Sequence, residues 1–312
     1  MSKLVSFIIP VYHNEGTLTI ISSQITNLMT KELPQLDFEI IFINDGSTDG
    51  SWDELKSVHA NNEHVKIISF SRNFGQIPGI ICGWKEAKGD AVINMSADLQ
   101  DPVEQAIEMI KNWLAGDEIV ISYRIARNDS FFTNLTSKIF YALMKNNVPK
   151  MPLGGFDFAL LDRKAVNAVN QLNERNRVYQ YDVLWLGFKL KFLPYERLVR
   201  EIGKSQWGFK KRFNYFILSY LYVSYFPIRL MSGIGLITSF TGFLYAIIVF
   251  FNYFVNKAPF NGWTPLMIVL LIIGGGTMLM LGIIGEYIWR IYDELKNKPH
   301  YIIDEKIGNN LH

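Results

Sequence analysis

Between Leu230 and Gly285 the chain runs for 56 residues with one charged side chain, Lys257. No other stretch narrows the accessible folds so much. The turn-like segment Asn256–Gly262 divides it into two apolar runs, about 228–255 and 263–289. A bilayer core takes about 20 mostly apolar residues per helix, and both runs exceed that. Two membrane-spanning helices are therefore expected in preference to a buried hairpin. Lys204, Lys210, Lys211, Arg212 and Arg229 precede the first run, and Arg290, Lys296 and Lys298 follow the second. The positive-inside rule then puts both flanks in the cytoplasm and the short loop outside.

The remaining composition is ordinary. Lys and Arg total 31 against 29 Asp and Glu, a net charge of +2, which excludes nucleic-acid binding driven by bulk charge. A hydrophobic share of 49% excludes long disorder. The lone Cys82 can form neither an intrachain disulfide nor a cysteine zinc site, in keeping with a reducing compartment. The apolar run Ser6–Val11 is too short, and too broken by Pro10, to read as a secretion leader.

Over the first 200 residues the periodicity alternates. Strands are expected at Val5–Val11, Phe38–Asn44, Val65–Phe70 and Ala91–Met95, with helices at about 17–30, 48–60 and 76–88. Such alternation implies an α/β fold with a mostly parallel sheet, whose ligands bind beyond the carboxyl ends of the strands. Polar clusters fall at those ends: Tyr12–Glu15, Asn44–Ser47 and Ser96–Asp101. No Gly-x-Gly-x-x-Gly follows the first strand and no Walker A sequence is present, which disfavours dinucleotide oxidoreductases and P-loop phosphotransferases. Acidic strand ends can approach a diphosphate only through a divalent cation such as Mg2+ or Mn2+. Asp98 and Gln100, one residue apart, point the same way if that segment is extended, giving two oxygen ligands. The competing reading is a solvated loop in which Asp101-Pro102 starts a helix.

Four ordered segments, Phe7–Glu15, Ile43–Asp49, Phe70–Gly75 and Ala97–Pro102, together with the apolar hairpin and the ending Gly285–Tyr292, Lys298–Ile303, resemble family 2 glycosyltransferases of the GT-A fold. The resemblance spans essentially the whole chain. It is strongest to polyprenyl-phosphate glycosyltransferases of the bactoprenol glucosyltransferase and dolichyl-phosphate mannose synthase types. It implies that Pro10, Tyr12 and Glu15 form the first nucleotide-contacting loop, that Asp45 contacts base and ribose, and that Arg72 helps bind the donor. A helix cap or turn is the alternative for Asp45, and a surface ion pair for Arg72. The resemblance also places Asp98 and Gln100 at the metal positions of an Asp-x-Asp-x-Gln pattern, and Asp157 at the catalytic or acceptor-positioning carboxylate. Asp157 alternatively bonds loop backbone.

Three positions depart from the pattern. Ser96 replaces its first Asp, removing one formal charge beside the donor. Ala159 stands where family variants often carry Arg two residues after the acceptor Asp, so another group must neutralise an acceptor phosphate. Gln206 replaces the usual Lys in a Gly-x-Ser-Lys-aromatic loop. That loop offers Lys204, Ser205, Gln206, Lys210, Lys211 and Arg212 to the acceptor or to lipid phosphates, or serves as a basic patch that orients the hairpin. A second apolar stripe, Phe131 to Leu143 within 130–146, suits either the membrane surface or packing on the first domain.

The expected organisation is a GT-A catalytic domain over 1–203, a basic and aromatic interfacial helix over 204–227, two transmembrane helices over 228–292, and a cytoplasmic tail over 293–312. The expected activity is inverting transfer of one sugar from a nucleotide-sugar to polyprenyl (undecaprenyl) phosphate at the cytoplasmic face of a bacterial-type inner or plasma membrane. It would give a lipid-linked monosaccharide for the cell envelope. UDP-glucose or UDP-N-acetylglucosamine is the expected donor by resemblance, with GDP-mannose and a modified UDP-pentose as alternatives. A homo-oligomer and a downstream flippase or transferase are the expected partners beyond substrates and bilayer. The competing functions are a polysaccharide synthase, whose extra spans and Gln-x-x-Arg-Trp motif are absent here, and an inactive membrane adaptor, which only Ser96, Ala159 and Gln206 favour.

Overall fold

The structure, a computed structural model, describes residues 2–125, 150–152, 155–172, 174, 177–196, 198, 226–256 and 263–308. They fall into two compact units, one within Met1–Ser219 and Lys298–His312, the other within Tyr220–Asn297. The stripe at 130–146 and the loop carrying Lys204 to Arg212 lie outside the described residues.

The first unit is built on an eight-stranded sheet. Its strands are β1 (Leu4–Val11), β2 (Asp37–Asn44), β3 (Val65–Phe70), β4 (Ala91–Asn94), β5 (Ile119–Arg124), β6 (Phe158–Asp162), β7 (Leu190–Tyr195) and β8 (Ile303–Ile307), in the order β7-β5-β6-β4-β1-β2-β3-β8. Six strands run one way; β6 and β8 run against them. This is the mostly parallel α/β sheet expected, and the first four strands fall within a residue of their expected positions.

Near-continuous apolar runs such as Phe7-Ile8-Ile9 suit strands buried on both faces. Alternate residues serve opposite faces. Val5, Phe7 and Ile9 join the cluster with α1 (Leu18–Glu32) and α4 (Val103–Leu114). In α4 the buried side chains are Val103, Ala106, Ile107, Met109, Ile110 and Trp113, one helical face. Ile8 faces α3 (Gln76–Glu86), which approaches so closely that a Cβ on Gly83 would lie 2.2 Å from Ile8 Cγ2. The helices α2 (Ser51–Asn61), α5 (Arg163–Val169) and α6 (Tyr179–Trp185) complete the layers.

The tail after the hairpin contributes β8, which the sequence did not suggest. Its charged residues Asp304, Glu305 and Lys306 read as solvated chain, yet it pairs with β3 and covers a sheet edge that would otherwise expose unpaired backbone groups.

The second unit comprises α7 (Phe226–Asn256) and α8 (Trp263–Leu295). Their 31 and 33 residues give lengths of roughly 45–50 Å, more than the ~30 Å of a bilayer core. Leu236, Phe240, Phe243, Met278 and Leu281 point outward rather than into protein. By length and composition both helices suffice to cross a membrane. Glu286 and Arg290 pair at 3.5 Å across one turn of α8.

Candidate active site

The polar clusters converge where the sheet chemistry puts them, beyond the carboxyl ends of β1 to β5. Val11 pairs with Asn44 and Asn44 with Ser69, so the next residues of all three strands emerge side by side. Pro10 lies two residues beyond the last β1–β4 pair, Ile8 with Asn94, which helps a central strand tolerate it. The Tyr12 ring stacks on His13 at 4.2 Å. The loop is latched to the β2–α2 turn. The His13 amide donates to Ser47 Oγ (3.1 Å), the Asn14 amide to Ser51 Oγ (2.9 Å), and the Gly50 amide to Glu15 Oε2 (3.0 Å). Glu15 thus supports the loop's shape.

Asp45 is neither a helix cap nor a simple turn residue. Its buried carboxylate reaches across to the segment after β3, accepting the amides of Phe74 (2.6 Å) and Gly75 (2.8 Å). Gly46 makes this approach feasible. Its φ is +65°, and a Cβ there would lie 2.4 Å from the Arg72 carbonyl carbon. Burial pushes the Asp45 carboxyl up to about 6, against the downward pull of the two amides and of Arg72. Arg72 itself is exposed, with its guanidinium 4.0 Å from the Phe74 ring centroid and donating to its neighbour's carbonyl, Asn73 O. Among these positions the fold brings Pro10, Tyr12, Glu15, Asp45 and Arg72 to one corner.

A second corner forms after β4. The segment Ser96–Gln100 is a turn and not the extended stretch expected: Leu99 has φ +59°, and Asp98 Oδ1 accepts the Gln100 amide at 3.3 Å. The local bond that closes the turn replaces strand alternation as the reason Asp98 and Gln100 lie together. Gln100 Nε2 donates to Leu198 O (3.2 Å), leaving the Oε1 acceptor out of that bond. Ser96 Oγ lies 2.8 Å from Asp98 Oδ1 and 2.5 Å from Asp101 Oδ2. Asp101 does not start a helix as a solvated residue. It is buried, and its other oxygen accepts the Tyr195 hydroxyl at 2.8 Å. The chain of contacts continues from Tyr195 Oη to Arg124 Nε (3.4 Å) and from Arg124 Nη2 to Asp157 Oδ2 (3.3 Å). Asp157 Oδ1 accepts Tyr179 Oη (3.0 Å) and Gln180 Nε2 (3.2 Å), so side chains and not loop backbone hold it.

Arg124 is the largest omission of the sequence reading. It ends β5, the same strand-end position that drew attention to the other clusters, but its neighbours Tyr123 and Ile125 made no polar run. Burial works against its charge, yet Asp157, Tyr195 and Asp101 outweigh that and hold its pKa above the ordinary value. Its side chain is 16% exposed beside Asp157 at 40%, so the pair is only partly covered. Tyr179, Gln180 and Tyr195 carried no signal of their own in one dimension, and Asp101 stood out only as a helix start at the end of a polar cluster. For a metal, the turn after β4 offers carboxylate, amide and hydroxyl oxygens, which suit a hard divalent cation. Among the described residues no three His, Cys, Asp or Glu side chains converge.

Comparison with known proteins follows the same lines. Residues 6–169 match the family described as Glycosyl transferase family 2. The chain is 36% identical over 307 residues to an uncharacterized glycosyltransferase, YkcC, of Bacillus subtilis, covering 97% of this chain and 94% of that one. It is 33% identical over 308 residues to the SfII prophage-derived bactoprenol glucosyl transferase of Shigella flexneri, covering 98% and 99%. Among solved structures, the fold resembles glucosyl-3-phosphoglycerate synthase from Mycobacterium tuberculosis in complex with Mg2+ and uridine-diphosphate. That match has a TM-score of 0.52 and 15% identity, covering 71% of this chain and 80% of that one.

Proposed function

This chain belongs to glycosyl transferase family 2 and is a glycosyltransferase, and from that premise we propose that it transfers one sugar from a nucleotide-sugar to a polyprenyl phosphate, with inversion, at the cytoplasmic face of a membrane crossed by α7 and α8. The observation that carries the reading is the Arg124–Asp157 pair, joined through Tyr195 and Asp101 to the Asp98 turn. Such a pair offers a partly exposed cation suited to a phosphate acceptor. The outward apolar helices and the 33% identity to a bactoprenol glucosyl transferase support a lipid acceptor. UDP-glucose or UDP-N-acetylglucosamine is the proposed donor.

Such a reaction needs little base catalysis. A polyprenyl phosphate already carries an anionic oxygen, which attacks the anomeric carbon while the bond from that carbon to the nucleoside diphosphate breaks. No net proton moves. The protein's work is alignment and stabilisation of charge. Arg124 takes the acceptor phosphate, and Asp157, fixed by Tyr179 and Gln180, orients the guanidinium in place of acting as a base. Asp45, Pro10, Tyr12, Glu15 and Arg72 form the nucleotide corner. Asp98 and Gln100 would hold Mg2+ or Mn2+ through their side-chain oxygens, with Ser96 as a neutral brace for Asp98. What a bound cation supplies there is neutralisation of the departing diphosphate. The basic residues Lys204, Lys210, Lys211 and Arg212, with Ser205 and Gln206, are assigned to the lipid side.

The test is purified protein with undecaprenyl phosphate, each UDP-sugar and Mg2+ or Mn2+, read by nucleoside diphosphate release and by the mass of the lipid product. Release is expected only when all components are present, with one sugar added. Asp98→Ala should lose at least ~100-fold in rate while its thermal unfolding stays close to wild type. Turnover without metal, or products longer than one sugar, would overturn the reading.

A further inference from the structure

We propose that the strap formed by residues Tyr301 to Ile307, which follows the apolar hairpin, is a positioning element of the nucleotide corner and sets its affinity for the donor. The inference rests on the nucleotide reading of the Asp45 corner.

The contacts form one continuous line. The Tyr301 ring stacks on Phe70, the last residue of β3, with centroids 4.9 Å apart and planes 10° from parallel. Phe70 meets Phe74 edge to face at 5.8 Å. The Phe74 amide donates to Asp45 at 2.6 Å, its ring carries the Arg72 guanidinium at 4.0 Å, and the Gly75 amide donates to the second Asp45 oxygen at 2.8 Å. The strap also holds this segment by its backbone. The Ser71 amide donates to Ile302 O at 3.1 Å, and the β3–β8 register shifts between Ser69 and Phe70, where the chain turns towards the corner.

The strap is itself well anchored. Ile307 pairs with Ile67 and Lys306 with Ile68. The Lys306 ammonium lies 2.5 Å from Glu86 on α3. The Tyr301 hydroxyl lies beside the Cys82 thiol on the same helix, and burial pushes that thiol up to about 12, so it stays a neutral neighbour at physiological pH. Tyr301 is thus fixed from α3 and β3 and presents its ring face to the aromatic pair beneath Asp45. The Asp45 clamp is made by the main-chain amides of Phe74 and Gly75. Aromatic packing from Tyr301 through Phe70 to Phe74, with one strap hydrogen bond at Ser71, supports the segment that carries them.

The readout is binding of UDP and of GDP, each with Mg2+, to the full-length protein by calorimetry, together with donor KM and kcat and amide hydrogen exchange at Phe74 and Gly75. Loss of the stacked ring in Tyr301→Ala is expected to weaken nucleotide binding and raise donor KM by up to ~10-fold, the scale of an aromatic pair. The kcat should stay within about twofold if the chemistry is untouched. Exchange at Phe74 and Gly75 should rise, with β1 and β4 unchanged. Tyr301→Phe keeps the ring and should bind like wild type. Tyr301→Leu, which keeps bulk without the flat ring, gives the same direction of change should the alanine variant not fold. Unchanged affinity and unchanged exchange in the alanine or leucine variant, or a fall in kcat at constant KM, overturns the strap's role. Failure of the wild-type protein to bind either nucleotide overturns the nucleotide reading of the corner, and with it this inference.

Discussion

The two corners at the carboxyl edge of the sheet hold their carboxylates by different means. On the β1–β3 side, Asp45 is gripped by the backbone amides of Phe74 and Gly75. On the β4–β7 side, Asp101 and Asp157 are gripped largely by side chains: Ser96, Tyr195, Arg124, Tyr179 and Gln180. A backbone clamp depends on chain path, so side-chain substitutions nearby disturb it only through packing. A side-chain clamp depends on residue identity, and each member lost leaves a partner unsatisfied. Of the three departures from the family pattern, the two within the described residues, Ser96 and Ala159, fall on the side-chain-held side. There, Ser96 braces two carboxylates, and Arg124 supplies a cation that Ala159 cannot.

The contrast breaks most sharply at Arg124. Arg124→Ala should lower kcat/KM for the lipid phosphate by ~100-fold or more at saturating donor. Arg124→Lys should recover little, since an ammonium cannot reproduce the planar fork that spans Tyr195 and Asp157. Full activity in Arg124→Ala would remove the cation from the acceptor corner, and full activity in Arg124→Lys would remove the need for the planar fork. A smaller effect is expected at Tyr195→Phe, which strips one donor from buried Asp101 and one contact from Arg124. The loss of about 1–3 kcal/mol expected for an unsatisfied buried acceptor should appear as a lower unfolding temperature. The Mg2+ concentration for half-maximal rate should rise, while UDP binding at saturating metal is spared.

The smallest effect concerns pH on the backbone-held side. The Asp45 carboxyl titrates at about 6 in the fold against an ordinary 3.8, so the folded state favours the protonated form. Its contribution to stability is fully present below about 4 and is lost as pH rises through about 6. Measured against Asp45→Asn, which does not titrate, the wild-type unfolding temperature should therefore decline between pH 4 and pH 6 and level off above. A rise over that interval would mean that the two amides outweigh burial.

Much of the scaffold was legible in one dimension. Apolar runs of β-branched residues marked β1 to β4, and the 3.6-residue periodicity marked α1 to α3, because both faces of a parallel sheet must be covered. Asp45, Asp98 and Gln100 drew attention because they follow strands, and Asp157 because it falls in a family-like order. The short strands β6 and β7 and the charged β8 were not visible. Phe158–Asp162 is too brief to show a period, and Ile-Asp-Glu-Lys-Ile reads as exposed chain until its partner β3 is known. Asp101 was read from its local context as a helix start, and only the arrival of Tyr195 from β7, 94 residues away, shows why it is buried.

By itself, then, the sequence determined the periodic and the compositional: an alternating α/β domain, two helices apolar enough for a bilayer, and a set of acidic strand ends suited to a diphosphate and a cation. Tertiary structure alone decided which cation faces Asp157, which hydroxyl braces Asp98, and that the chain returns after its apolar hairpin to buttress the Asp45 clamp. The reason is physical. Burial patterns are local and repeat every two or 3.6 residues, whereas hydrogen-bond partners and stacked rings are chosen by which strand ends the sheet order places side by side.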